Sequence, residues 1–112
     1  MKGLIVLPSW GNDILDGFKS WEIRNGNIKH RGETGIIFSG TKSVHGIVDL
    51  IDSFPLTQML FDQNMDKHRI QNGAFDISRY KYPYVWVIDS PRRYENPIPY
   101  KHPKGAVVWV NL

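Results

Sequence analysis

Short apolar stretches separated by polar turns recur along this chain, and their spacing predicts strands more often than helices. Stretches of this length are typical of strands buried on both faces. The predicted strands are Gly3–Leu7, Ile36–Phe38, Val44–Ile51, Tyr84–Ile88 and Ala106–Val110. Gly46 lies inside the third of these and is placed for a β-bulge.

A further strand is predicted from Lys19 to Arg24, directly after Gly17. Side chains alternate between the two faces of a strand. Trp21 and Ile23 therefore share an apolar face, while Ser20, Glu22 and Arg24 share the other. Lys19 lies at the mouth of the strand, so two cations and one carboxylate are expected close together.

Two segments have helical spacing. The first is predicted to begin near Trp10 with Ser9 as its cap, and to end at Gly17, where helices commonly stop. The second lies within Ser53–Lys67 and is expected to open at Pro55.

Prolines set limits on the C-terminal part of the chain. Ser90 and Pro91 are expected to end the Tyr84–Ile88 strand, and Pro97 and Pro99 exclude a helix or a central strand because they lack an N–H. Five or six short strands with two packed helices indicate a mainly β fold with helices (α+β), closed as a small β-barrel.

Length and composition narrow the class of protein. A chain of 112 residues predicts a single domain spanning 1–112. The sequence has no cysteine and no run of 18 apolar residues, so we expect a cytoplasmic, intracellular protein without a membrane partner. A net charge of +3 and a pI near 9.3 are compatible with an anionic partner.

Several of these residues together resemble the ASCH domain family. The hallmark of that family is G-x-K-x-x-E-x-R, and Gly17, Lys19, Glu22 and Arg24 match its four fixed positions. The resemblance extends over nearly the whole chain, through Pro8-Ser9-Trp10, Arg31-Gly32-Glu33, the Tyr84–Ile88 strand and the closing strand with Trp109.

The resemblance implies a PUA-like barrel, a superfamily whose members commonly bind RNA or modified bases. It also implies a cleft beside the barrel that holds Lys19, Glu22 and Arg24, with Trp10 at its rim. The turn from Ser39 to Lys42 would form another wall.

One branch of the family resembles an amidohydrolase that removes the acetyl group of N4-acetylcytidine with a lysine, a threonine and a glutamate. Lys19 matches the lysine, but Glu22 stands at the threonine position and the glutamate falls near Gln63. The resemblance therefore leaves Lys19 and Glu22 as the candidate catalytic pair if the protein is an enzyme.

The chemistry of the residues permits more than one hypothesis. Arg24 offers a planar set of donors for a phosphate or a base edge, and Glu22 can accept from an exocyclic amine. Trp10 can stack on a base. We therefore predict a nucleic-acid or nucleotide binding module that takes RNA, DNA or a nucleotide. The alternatives are a small hydrolase acting on a modified nucleoside or nucleic acid, and a non-catalytic interaction domain with a vestigial cleft. The corresponding alternative for Glu22 and Arg24 is an ordinary surface ion pair.

The histidines do not have the spacing of metal ligands, so no metal site and no cofactor are predicted. His68 is the histidine most suited to the site, because its segment follows the second helix and is expected to fold over the cleft, although an exposed polar residue is the more ordinary interpretation. The predicted ligand-binding residues are Trp10, Lys19, Glu22, Arg24, Ser39, Lys42 and His68. The sequence makes no prediction of the oligomeric state.

Overall fold

The computed structural model describes residues 1–71 and 77–112. In these residues, six strands form one sheet that curls into a half-barrel. The strands are β1 (Lys2–Val6), β2 (Trp21–Asn25), β3 (Gly32–Phe38), β4 (Ser43–Pro55), β5 (Pro83–Pro99) and β6 (Trp109–Asn111). Their order across the sheet is β2-β5-β4-β3-β1-β6, and all neighbours are antiparallel except the parallel pair β1 and β3.

Within the described ranges, three short α-helices accompany the sheet: α1 (Pro8–Leu15), α2 (Gln58–Gln63) and α3 (Met65–His68). A 3₁₀ turn lies at Ile77–Arg79. The prediction of a mainly β fold with helices is confirmed, and the curled half-barrel is consistent with the predicted small barrel, although β2 and β6 remain at the two edges of the sheet. No helix in the described part of the chain has the length and apolar character needed to cross a membrane.

The predicted helix boundaries were wrong in two places. Helix α1 begins at Pro8 and not near Trp10, because proline has no N–H to lose and its fixed φ suits the first helical position; Ser9 does not cap it. Pro55 ends β4 instead of opening a helix. Helix α2 begins after Thr57, whose hydroxyl accepts from the Leu60 N–H at 3.2 Å.

The predicted end of the β5 strand at Ser90 and Pro91 was also wrong. Ser90 has a φ of 51°, and β5 there holds two residues opposite one in β4, so the strand bulges and continues to Pro99. Strand β2 pairs only with Pro83–Val87 of β5. Pro97 and Pro99 therefore lie where β5 has β4 as its one neighbouring strand among the described residues, and a missing N–H is tolerated there. The last strand is shorter than predicted and starts at Trp109.

The predicted bulge in β4 is present. Ile36 pairs with Gly46 and Ile37 with Val44, so His45 is the extra residue. A Cβ at Gly46 would lie 2.6 Å from the Arg92 carbonyl oxygen, which explains why glycine is needed where β5 approaches.

The alternation predicted for β2 positions the candidate site. Trp21 and Ile23 pack in a core cluster with Leu56, Phe61 and Val85. Glu22 lies on the opposite face, as its pairing with the buried Trp86 of β5 requires. The larger core cluster packs α1 against the sheet and includes Leu4, Val6, Ile14, Leu15, Ile36, Phe38, Val48, Leu50, Trp86 and Ile88.

Candidate ligand-binding cleft

A tight turn after α1 aims Lys19 into the protein. Gly17 has a φ of +84°, a conformation that favours glycine. The turn returns the chain so that the Phe18 and Lys19 N–H groups both donate to the Asp13 carbonyl, at 2.9 and 3.0 Å. Lys19 therefore lies two residues before β2 with its side chain directed inward and not toward solvent.

The Lys19 side chain is almost fully buried, with 2% of the residue exposed. Its Nζ donates to the His68 carbonyl at 2.6 Å and lies 3.9 Å from Glu22 Oε1. The same atom lies 4.7 Å from the centre of the Trp10 ring, a cation–π contact. A backbone acceptor, a carboxylate and an aromatic face thus replace the water that an exposed ammonium would have.

These surroundings change the proton affinity of Lys19. Burial lowers the pKa of the ammonium below its ordinary value of 10.5, and the Arg24 cation adds to that effect. The negative charges of Glu22 and Asp13 act in the opposite direction and raise the pKa. Because burial is the largest contribution, the ammonium loses its proton more readily than an exposed lysine does.

Glu22 joins the two cations. Its Oε2 lies 3.2 Å from Arg24 Nη2, while its Oε1 faces Lys19, and only 5% of the residue is exposed. Arg24 Nη2 also donates to the Ile5 carbonyl at 2.8 Å, and the guanidinium carbon lies 5.9 Å from the centre of the Trp86 ring. This buried network differs from the alternative of a solvated surface ion pair.

A cavity of about 360 Å³ opens beside this network. We call it the first cavity. Its polar and aromatic wall is formed by Trp10, Glu22, Arg24, Asn25, Ser39 and Tyr80, and Ile5 and Val107 belong to its apolar wall. The volume is near the lower end of the range of about 300–1,000 Å³ found for small-molecule sites.

Four of the seven predicted ligand-binding residues line the first cavity: Trp10, Glu22, Arg24 and Ser39. Lys19 is not part of the wall, but it contacts two residues that are, Trp10 and Glu22. Lys42 lies farther along the same turn and lines an adjoining cavity that shares Ser39 with the first.

His68 occupies a different position from the one expected. The residue is fully buried, and its ring stacks on Phe61 with a centroid distance of 4.1 Å. Nε2 lies 2.8 Å from the Phe61 carbonyl and donates to it, while Nδ1 accepts from the Ile70 N–H at 2.9 Å. Both ring nitrogens therefore have partners within the protein, and the imidazole does not line the first cavity. His68 contacts Lys19 through its backbone carbonyl.

Burial lowers the pKa of His68 below 6.5, and the nearby Lys19 cation contributes in the same direction. The hydrogen bond to the Phe61 carbonyl raises the pKa by less than burial lowers it. The hydrogen bond from the Ile70 N–H agrees with the lowered pKa, because Nδ1 can accept it only while the ring is neutral and Nδ1 carries no proton.

Sequence reasoning missed the other residues of the cavity wall, among them Asn25, Tyr80 and Val107. Asn25 is the last residue of β2, and its Oδ1 accepts from the Tyr82 N–H at 2.6 Å. The two-residue alternation places it on the face of Trp21 and Ile23 and not with Glu22 and Arg24, so the strand pattern does not predict its place in the cavity wall. No pattern in the sequence indicates that the loop with Val107 reaches the cavity.

No protein-family model matches the chain, and no curated protein matches it. Solved structures do. A mutant of ZmASCH from Zymomonas mobilis has a TM-score of 0.79 at 13% identity, over 99% of this chain and 87% of that chain.

A second ZmASCH mutant has a TM-score of 0.75 at 14% identity, over 88% of this chain and 74% of that one. The ASCH protein of the same organism has a TM-score of 0.72 at 14% identity, over 88% of this chain and 72% of that one. The chain therefore has the fold of the ASCH domain proteins.

Proposed function

We propose that this protein binds a nucleotide or a short single-stranded nucleic acid, RNA above all, in the first cavity. The observation that carries the proposal is the joint placement of Trp10, Glu22, Arg24 and Ser39 on the wall of one small cavity. The ASCH-like fold and the resemblance to RNA-binding PUA-like domains support the same substrate class.

Arg24 supplies the anion-binding group of the proposed site. Its two hydrogen bonds to the protein both use Nη2, and Nε and Nη1 have no partner among the described residues. A guanidinium held on one side by a carboxylate and a carbonyl is fixed in orientation, so its remaining donors are preorganised for a phosphate or a base edge.

Glu22 and Trp10 supply the contacts to a base. Glu22 lies between two cations, and its carboxylate can accept from an exocyclic amine, as carboxylates do with cytosine N4. Trp10 offers an indole surface for stacking, a contact worth about 1–3 kcal/mol per base. A cavity of about 360 Å³ suits one nucleoside and excludes a folded helix.

The test is a binding titration of short single-stranded RNA and DNA oligonucleotides with the wild type and two arginine variants. Arg24→Gln is expected to weaken binding by about tenfold, since a charge-assisted contact contributes about 1.5–3 kcal/mol. Arg92→Gln is the matched control, because Arg92 pairs with Asp49 at 3.2 Å and does not line the first cavity.

Binding of the wild type should also weaken as salt rises, with a log–log slope of about −0.7 for each phosphate contacted in a single strand. Equal affinities of the Arg24→Gln and Arg92→Gln variants would contradict the proposal, as would the absence of oligonucleotide binding by the wild type.

A second candidate is a small hydrolase acting on a modified nucleoside or on nucleic acid. The observation that favours it is the lowered pKa of Lys19 with Glu22 at 3.9 Å, because a lysine that releases its proton readily can act as a base. Lys19→Met should then abolish release of acetate from N4-acetylcytidine and cleavage of RNA. Unchanged turnover in this variant, or no turnover in the wild type, excludes the hydrolase and leaves the binding module.

A further inference from the structure

The turn that follows β3 separates two cavities. Beyond the first cavity lies another of about 260 Å³, which we call the second cavity. The two share Ile5, Ser39 and Val107 as wall residues, so they adjoin along one boundary. A ligand longer than one nucleoside can therefore extend from one cavity into the other along the Ser39 side.

The second cavity has its own cation. Lys42 lines it, is exposed, and forms no ion pair with any described residue. Its φ of 53° places the backbone in the left-handed region, where a residue other than glycine is uncommon. The Lys42 carbonyl accepts from the Tyr100 N–H at 3.1 Å, which ties the turn to the end of β5 and fixes where the lysine emerges.

The opposite wall of the second cavity has an ordered polar pair. His102 Nε2 lies 2.9 Å from the Ala106 carbonyl, and a carbonyl only accepts, so Nε2 carries the proton. In the neutral ring Nδ1 is then an acceptor, and the Tyr100 hydroxyl, 2.6 Å away, donates to it. Burial raises the pKa of Tyr100, so the phenol stays protonated and its oxygen lone pairs are left to accept from a ligand.

The second cavity, the Lys42 cation and the Tyr100 acceptor together suit a nucleotide better than they suit a neutral apolar ligand. Lys42 can neutralise a phosphate in the second cavity, and the Tyr100 oxygen can accept from a sugar hydroxyl or a base amine. The apolar wall residues Ile37 and Ala106 offer a surface against which a base or a sugar can pack.

We propose that the second cavity is a subsite for the adjacent nucleotide of a single-stranded chain, with Lys42 on the linking phosphate and the Tyr100 hydroxyl on the second nucleotide. This inference rests on the proposed function of the first cavity and extends it from one nucleotide to two. The substrate class is then an oligonucleotide and not a free nucleoside.

The experiment compares the four ribonucleoside 5′-monophosphates with the sixteen 5′-phosphorylated ribodinucleotides by calorimetric titration. The wild type is expected to bind its best dinucleotide at least about tenfold more tightly than either component mononucleotide. Lys42→Gln should remove about fivefold to tenfold of the dinucleotide affinity and leave mononucleotide affinity unchanged. Lys104→Gln removes the same charge from an exposed lysine that does not line the second cavity, and should change neither.

Tyr100→Phe keeps the ring and removes the hydroxyl, so it should weaken dinucleotide binding alone. The inference is overturned if the second nucleotide adds no affinity, or if Lys42→Gln behaves as Lys104→Gln does. It is also overturned if Lys42→Gln weakens mononucleotides as much as dinucleotides, because one nucleotide would then occupy both cavities. If neither class of ligand binds the wild type, the proposed function fails as well.

Discussion

The charge of Glu22 is expected to hold the candidate site together, and Glu22→Gln tests this with almost no change in side-chain shape. The substitution leaves Lys19 and Arg24 facing a neutral amide in place of a carboxylate. Lys19 is 2% exposed and Glu22 5% exposed, so water does little to screen the change.

The size of the effect follows from the distances. At an effective dielectric constant near 20, unit charges 3.9 Å apart, as Lys19 Nζ and Glu22 Oε1 are, attract each other by about 4 kcal/mol. Breaking a buried pair by removing one partner costs about 3–5 kcal/mol, because the other charge stays buried without compensation. We expect Glu22→Gln to lower the free energy of unfolding by that amount.

A double-mutant cycle isolates the interaction. Glu22→Gln, Lys19→Met and the double variant are unfolded in urea at pH 7 and followed by the fluorescence of the four tryptophans. The double variant should lose about 1–3 kcal/mol less stability than the two single variants together, since it leaves no unpaired ammonium. Raising salt from 0.05 to 0.5 M should hardly change this coupling, because dissolved ions screen buried pairs only weakly.

The exposed pair Arg92 and Asp49 is the matched control. Its atoms lie 3.2 Å apart with side chains 47% and 31% exposed, so its coupling should be at most about 1 kcal/mol and should fall as salt rises. A coupling below about 0.5 kcal/mol between Lys19 and Glu22, or one as salt-sensitive as the control, would refute the reasoning that the pair is buried and unscreened.

Two further predictions concern stability. Gly11→Ala places a Cβ against the Cε1 of the Phe38 ring and 2.6 Å from its Cδ1. Urea unfolding should therefore show a loss of about 1–3 kcal/mol in the free energy of unfolding, although alanine favours a helix over glycine by up to about 1 kcal/mol. A gain in stability would contradict this. The pKa of His68 is lowered in the folded protein, so below pH 6.5 the unfolded chain binds more protons than the folded one. The free energy of unfolding should therefore fall as pH drops from 7.5 to 5, by at most about 1.4 kcal/mol per pH unit. His68→Gln should show a shallower pH slope, and an unchanged slope would assign the dependence to other groups.

Local patterns in the sequence predict the part of the site that one strand builds. The two-residue alternation of β2 correctly separates Trp21 and Ile23 from Glu22 and Arg24, because side-chain direction in a strand depends only on neighbouring residues. The glycine after α1 likewise indicates the turn that leads to Lys19.

The burial of the site depends on residues far away in the sequence and could not be predicted in the same way. Lys19 is buried by the His68 carbonyl, 49 residues later, and the first cavity is closed by the loop with Val107. The predicted start of the second helix at Pro55 is wrong for a related reason. Pairing with β5 extends β4 through Pro55, and this tertiary pairing outweighs the local helical spacing.

The buried network also has a consequence for what the site can bind. Within ion-pair distance, two cations face one carboxylate when Lys19 is an ammonium, so positive charge is in excess beside the cavity, although Asp13 offsets part of it. An apolar cluster of the same volume would stabilise the fold at least as well, so the network contributes little to stability that packing could not supply. Its excess positive charge instead favours an anion beside the unfilled donors of Arg24. A phosphate-bearing ligand meets that requirement, and a neutral nucleoside meets only the part supplied by Glu22 and Trp10.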